Sequence, residues 1–152
     1  MTDSVIKLYS LLMKKNIWFV RYCHSSVSTK EAWLHILRKI SIPCVPVYTQ
    51  LYFERNIQKY IVFLSSPAPT QSVQDYYPEA QPLSVMQRNA ISKTGFQNNG
   101  LLTPLPLLSE YSVAFTAIHS QELSLSDKWC FPSGDSTESI VVEGFDIMSL
   151  LS

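Results

Sequence analysis

The side chains that could do chemistry are few and scattered. The histidines are His24, His35 and His119, and the cysteines are Cys23, Cys44 and Cys130. Serines are numerous, but no Gly-x-Ser-x-Gly elbow presents one as a nucleophile. Cys23 and His24 are adjacent, so on a strand they point to opposite faces and make a poor nucleophile–base pair. No Cys-x-x-Cys or His-rich spacing suggests a metal site. With four glycines and no Gly-x-Gly pair, a phosphate-cradling loop for a nucleotide cofactor is not expected either. The residues alone therefore predict no enzyme, no metal and no small-molecule cofactor.

Charge gives the positive signal. The chain has zero formal net charge, yet residues 1–60 carry nine cations against three anions and residues 61–152 the reverse. Such asymmetry hints at a polyanion-facing half. Lys14, Lys15 and Asn16 form a short basic loop, and residues 67–71 form a second loop with Ala68, Thr70 and Gln71. Phosphate contacts use exposed cations and loop amides, so these loops are the candidate nucleic-acid contacts. Trp18, Phe19, Tyr48, Tyr52 and Tyr60 are candidates for a base-stacking platform, or equally for the core.

The elements that must position these groups are legible from periodicity. Val5, Leu8, Tyr9 and Leu12 fall at helical spacing behind a Thr2 or Asp3 cap. Residues 17–23 read as a strand. Ser28 and Glu31 read as a capping box for a helix with a Trp33, Ile36, Leu37, Ile40 stripe. Residues 45–53 and 57–64 read as a hairpin across a turn at Glu54, Arg55 and Asn56. Val45, Val47, Thr49, Leu51 and Phe53 share one hairpin face; Tyr48, Gln50 and Tyr52 share the other. Residues 60–64 have no polar alternation, as expected of a central strand covered on both faces. This β-α-β-β order predicts an α+β fold with a central, mostly antiparallel sheet flanked by helices on both faces. The same order begins the rolling-circle nucleases, but residues 60–64 contain no histidine to hold their metal.

Farther along, residues 73–77 read as a helical turn, 82–93 as a helix, 98–100 as a turn, 103–106 as a proline-rich loop and 111–118 as a strand. Residues 119–152 read as a Ser-rich acidic extension, partly disordered, beyond a domain spanning 1–118. Within it 140–142 is an expected edge strand, and 144–152 a short helix or turn. Cys23 and Cys44 lie in apolar runs and are expected to be buried thiols. No signal peptide or membrane span is apparent, so the chain reads as intracellular.

Ser28-Thr29-Lys30-Glu31 with the helix ending Arg38-Lys39-Ile40 resembles the Thr-Lys-Glu helix of the polyomavirus large T antigen origin-binding domain. Ile61-Val62-Phe63-Leu64-Ser65-Ser66-Pro67 is similar to that family's central strand and proline loop. Ser72 to Tyr77, Ile91 to Gly95 and Tyr111 to Val113 fall at roughly the family's later spacings, so the resemblance covers about residues 3–115. It implies a non-catalytic module binding double-stranded DNA at a viral replication origin, with self-association on DNA and a host-nuclear location. It also implies two reading loops, one at Lys14, Lys15 and Asn16. In the other, Ala68, Thr70 and Gln71 stand where the family has a His/Arg cluster. The alternative is a viral or accessory protein-interaction domain with no nucleic-acid role.

Overall fold

In the computed structural model, residues 3–40, 44–92, 115–133 and 135–151 are described. The helices are α1 (Asp3–Lys14), α2 (Lys30–Lys39), α3 (Val85–Ser92) and α4 (Gly144–Leu151). The strands are β1 (Phe19–Cys23), β2 (Val45–Pro46), β3 (Tyr48–Glu54), β4 (Lys59–Ser65), β5 (Ala80–Pro82), β6 (Phe115–His119), β7 (Lys128–Pro132) and β8 (Glu138–Glu143). They form two four-stranded sheets, β1-β8-β7-β2 and β5-β3-β4-β6. Each has two antiparallel pairings and one parallel one. The α+β class with mostly antiparallel pairing thus holds, carried on two sheets.

β1 pairs with β8 and not with the β3–β4 hairpin. The strand before α2 and the hairpin after it therefore belong to different sheets, which departs from a single split β-α-β unit. The link between sheets is the near-continuous run from Val45 to Glu54. Its first two residues pair with β7, Val47 donates to the Cys130 carbonyl at 3.0 Å, and the rest joins β4.

Strand alternation distributes the side chains over three cores. Val62 and Leu64 of β4, Trp129 and Phe131 of β7, and Ile140 and Val142 of β8 meet between the sheets. Val5, Leu8, Tyr9 and Leu12 of α1 and Ile147 and Leu151 of α4 complete this core. On the outer face of the first sheet, α2 seats Trp33 and Leu37 against Cys130 and Val141. On the outer face of the second, Ile61 and Phe63 pack on Val73 and Ala80. β4 is therefore central and covered twice, as its unbroken apolar run requires.

Residues 119–151 are not a loose extension: they supply β7, β8 and α4. β8 lies between β1 and β7, so 140–142 is an interior strand and not an edge. Serine content misled here because Ser133 and Ser139 are buried within the sheet region, at 1% and 0% exposure. Gly144 is required where α4 meets β7, since a Cβ there would lie 2.4 Å from Trp129 Cε2.

Local signals place the ends of the elements. α1 closes with Asn16 in the left-handed region (φ 58°). Asn16 N–H donates to Met13 O at 3.1 Å and Ile17 N–H to Leu12 O at 2.9 Å, a Schellman closure. α2 begins one residue later than the Ser28–Glu31 box implies. Thr29 is its N-cap, its hydroxyl accepting from Ala32 N at 3.1 Å, and Ala32 cannot reciprocate. The hairpin turn occupies residues 55–58, with Gln58 at φ 52° and Glu54 accepting from Ile57 N at 2.9 Å. Residues 73–75 make the expected helical turn, while 98–100, 103–106 and 111–114 lie outside the described residues.

Candidate functional site

Nucleophilic and titratable side chains converge on the outer face of the first sheet, under and beside α2. Odd-numbered residues of β8 face this layer, which puts Ser139 beneath Trp33. Ser139 is fully buried, and its Oγ accepts from Trp33 Nε1 at 2.9 Å. His24 Nδ1 lies 2.9 Å from the Ser25 carbonyl and Nε2 lies 2.8 Å from Ser139 Oγ. A carbonyl only accepts, so Nδ1 carries a proton, and Nε2 shares the second hydrogen bond with the Ser139 hydroxyl. That is the geometry of a serine with its base. With Ser139 at 0% exposure and its oxygen engaged by the indole, the pair is a structural network that locks α2 and the end of β1 onto the sheet.

Cys130 lies on the same face, fully buried beneath α2. Cys44 is half-buried. Its bond from Cys130 holds the Cys44 thiol below its ordinary pKa, with burial opposing. The shared bond with Cys44 and deep burial push Cys130 far up, so Cys44 loses its proton first. Beside them the Tyr48 ring lies 6.1 Å from Trp33, and Lys30 Nζ sits 4.9 Å from the Tyr48 centroid. Burial pushes the Tyr48 phenol up, with Glu31 adding to it and Arg38 opposing. Lys30, Cys44 and Tyr48 thus form a half-buried rim holding a cation, an acidified thiol and an aromatic face. Among the described residues no group of His, Cys, Asp or Glu has a metal-binding arrangement.

The loops expected to read DNA are elsewhere and differently employed. Lys14 and Lys15 are exposed at the end of α1, and Asn16 serves as the helix terminator. Ala68 and Thr70 are exposed. Gln71 Oε1 accepts from Tyr76 Oη at 2.6 Å and from Gln121 N at 3.0 Å. Ser66 Oγ donates to Glu122 Oε1 at 3.0 Å. Burial pushes Glu122 up, but hydrogen bonds from its own backbone, Ser120, Ser66 and the Thr70 backbone outweigh it and hold the carboxyl below its usual range. Residues 66–71 are therefore docked on an ionised carboxylate, which repels phosphate.

The aromatic residues form no platform. Phe19 stacks on Tyr9 at 5.4 Å, Phe53 meets Tyr60 edge-on at 5.2 Å, and Tyr52 packs on the Ile61–Phe63 cluster. Trp18 is 45% exposed, beneath Lys128 Nζ at 4.7 Å. Cys23 is exposed, unlike the buried thiol its apolar run suggests. The pairing of Cys44 with Cys130, and of His24 with Ser139, carries no spacing signal, because each joins segments far apart in the chain.

No protein-family profile matches the sequence, and no curated protein matches it. Solved structures do match. A protein provisionally named a trans-editing enzyme for prolyl tRNA synthetase is similar at TM-score 0.67 and 14% identity, covering 99% of this chain and 93% of that one. A scaffold protein from computational epitope grafting matches at TM-score 0.67 and 14% identity over the same shares. The hypothetical protein APE2540 matches at TM-score 0.65 and 8% identity, covering 95% and 93%. At these identities the likeness shows the fold. These neighbours are unrelated to polyomavirus large T antigen, and nothing in them indicates DNA binding or a viral origin. The reading as a viral origin-recognition module is thereby corrected, as is its replication context.

Proposed function

We propose that the chain is a hydrolase of the trans-editing kind, acting on the ester of an aminoacylated tRNA at the Lys30–Cys44–Tyr48 rim. The observation that carries this reading is the match along 99% of the chain to a protein provisionally named a trans-editing enzyme. This is an inference from fold, so the chemistry must come from this chain's own residues. Editing hydrolyses products that synthetase binding alone discriminates poorly. Here the half-buried, acidified Cys44 is the suited nucleophile. Its thiolate adds to the ester carbonyl, and the carbon–oxygen bond breaks. The ribose hydroxyl leaves with a proton, and water then hydrolyses the thioester to free amino acid and thiol. Lys30 supplies positive charge at the rim, and exposed Arg38 and Lys39 extend it along α2.

The test is release of amino acid from proline-specific tRNA charged with proline or with a smaller amino acid. Hydrolysis faster than in buffer, and slowed by Cys44→Ala, is the expected result. Rates equal to buffer for every ester overturn the proposal.

A further inference from the structure

We propose that Trp18 is a base-stacking residue of the same site, its indole taking one base of the unpaired 3′ end that carries the ester to Cys44. This rests on the hydrolase reading and adds to it the strip of surface along which the RNA lies.

Strand register sets Trp18 and Cys44 on one row. Lys128 of β7 pairs with Glu143 of β8. Phe19 pairs with Val142 in antiparallel sense, so Trp18, one residue before β1, falls opposite Glu143. Val45 pairs with Trp129 in parallel sense, so Cys44, one residue before β2, falls beside Lys128. The row across the first sheet is therefore Trp18, Glu143, Lys128 and Cys44, three strand spacings or about 14 Å long. The adjacent rung puts Phe19, Val142 and Trp129 in the central core, so by alternation this row faces outward, on the side that α2 covers.

The row is open and suited to a nucleotide strand. Trp18 is 45% exposed, whereas Trp33 and Trp129 are at 1% and 0%. Lys128 Nζ lies 4.7 Å from the Trp18 ring centroid, so the Lys128 side chain spans the gap between the indole and the Cys44 end. Ile40, the C-cap of α2, is four residues before Cys44 and at most about 14 Å from it, which keeps exposed Arg38 and Lys39 at that end. Glu143, exposed between Trp18 and Lys128, opposes phosphate, but three cations stand against it. A base stacks on the indole, and the Lys128 ammonium passes from the ring to the flanking phosphate. One indole is not a platform, so it holds a single base without reading sequence.

The probe is the uncharged RNA tetranucleotide ACCA, read by tryptophan emission and, with a fluorescent label, by anisotropy. Because Trp33 and Trp129 are buried, Trp18 is the tryptophan whose emission a stacked base quenches. The expected result is saturable quenching in wild type and in Cys44→Ala. By anisotropy, Trp18→Leu binds at least about fivefold more weakly. Trp18→Phe keeps a stacking face and stays within about twofold of wild type, which separates lost stacking from lost fold. Absence of saturable quenching, or equal affinity of wild type and Trp18→Leu, overturns the proposal. Ester hydrolysis that is slowed by Cys44→Ala but indifferent to Trp18→Leu also overturns it, alone. Tetranucleotide binding that depends on Trp18, in a protein that hydrolyses no ester, overturns the hydrolase reading instead.

Discussion

Replacing Ser139 by alanine tests whether the buried hydroxyl is the keystone of the face that carries the rim. The hydroxyl holds Trp33 Nε1 at 2.9 Å and His24 Nε2 at 2.8 Å. Trp33 is 1% exposed, so its indole N–H would be left buried without an acceptor. That costs about 1–3 kcal/mol. His24 is only half-buried and recovers a water, adding little. A net loss of about 2 kcal/mol is expected for Ser139→Ala, measured by urea denaturation with an unchanged m-value. The mechanism has its own signature. If the cost is the orphaned indole, Trp33→Phe is less harmful in the alanine background than in wild type, with coupling of at least about 1 kcal/mol in the double-mutant cycle. A Ser139→Ala loss under about 0.5 kcal/mol, or strict additivity with Trp33→Phe, refutes the reasoning.

Gly144→Ala should cost about 1–3 kcal/mol by overpacking, because its Cβ would meet the ring of fully buried Trp129 at 2.4 Å; thermal denaturation reads it. Arg21 Nε donates to Glu138 Oε1 at 2.7 Å, and Glu138 is 4% exposed, so Arg21→Ala strands a buried carboxylate. Because Arg21 itself is open to water, the expected loss is about 2 kcal/mol, below that for a wholly buried pair, and it should shrink in Arg21→Ala/Glu138→Gln. Burial pushes the Tyr9 phenol up to about 12, with Glu138 adding to it and Arg21 and Ser133 opposing. Above pH 10 the unfolded chain loses the proton that the folded chain keeps. Stability present below pH 10 is therefore lost toward pH 12, at up to about 1.4 kcal/mol per pH unit from this residue. Denaturation of Tyr9→Phe between those pH values should show a correspondingly flatter slope.

The legible parts of the fold were those with local periodicity. The α1 stripe Val5, Leu8, Tyr9 and Leu12 is buried as its spacing demands. The hairpin faces separate as alternation requires, with Val47 in the central core and Tyr48 under α2. What sequence could not carry was pairing between distant segments. β8 reads only as a short edge strand at 140–142, because the polar Glu138 and Ser139 before it belong to a Ser-rich acidic run, yet both are buried and satisfied, by Arg21 and by Trp33 and His24. The candidate rim was illegible for the same reason: Lys30 and Tyr48 meet only once α2 folds back on the sheet crossing. Lys14 and Lys15 drew notice because their charges are adjacent in sequence, but adjacency at an exposed helix end is also what a favourable C-terminal dipole contact produces.

The most direct test of the rim as the reactive site is single-turnover hydrolysis of aminoacylated proline tRNA by three forms of the protein. These are wild type, Cys44→Ala and Lys14→Ala/Lys15→Ala. The expected result is at least about a tenfold slower reaction for Cys44→Ala, equivalent to about 1.4 kcal/mol of lost transition-state stabilisation, with the double lysine variant near wild type. An unchanged rate in Cys44→Ala, or a loss confined to the lysine variant, contradicts it.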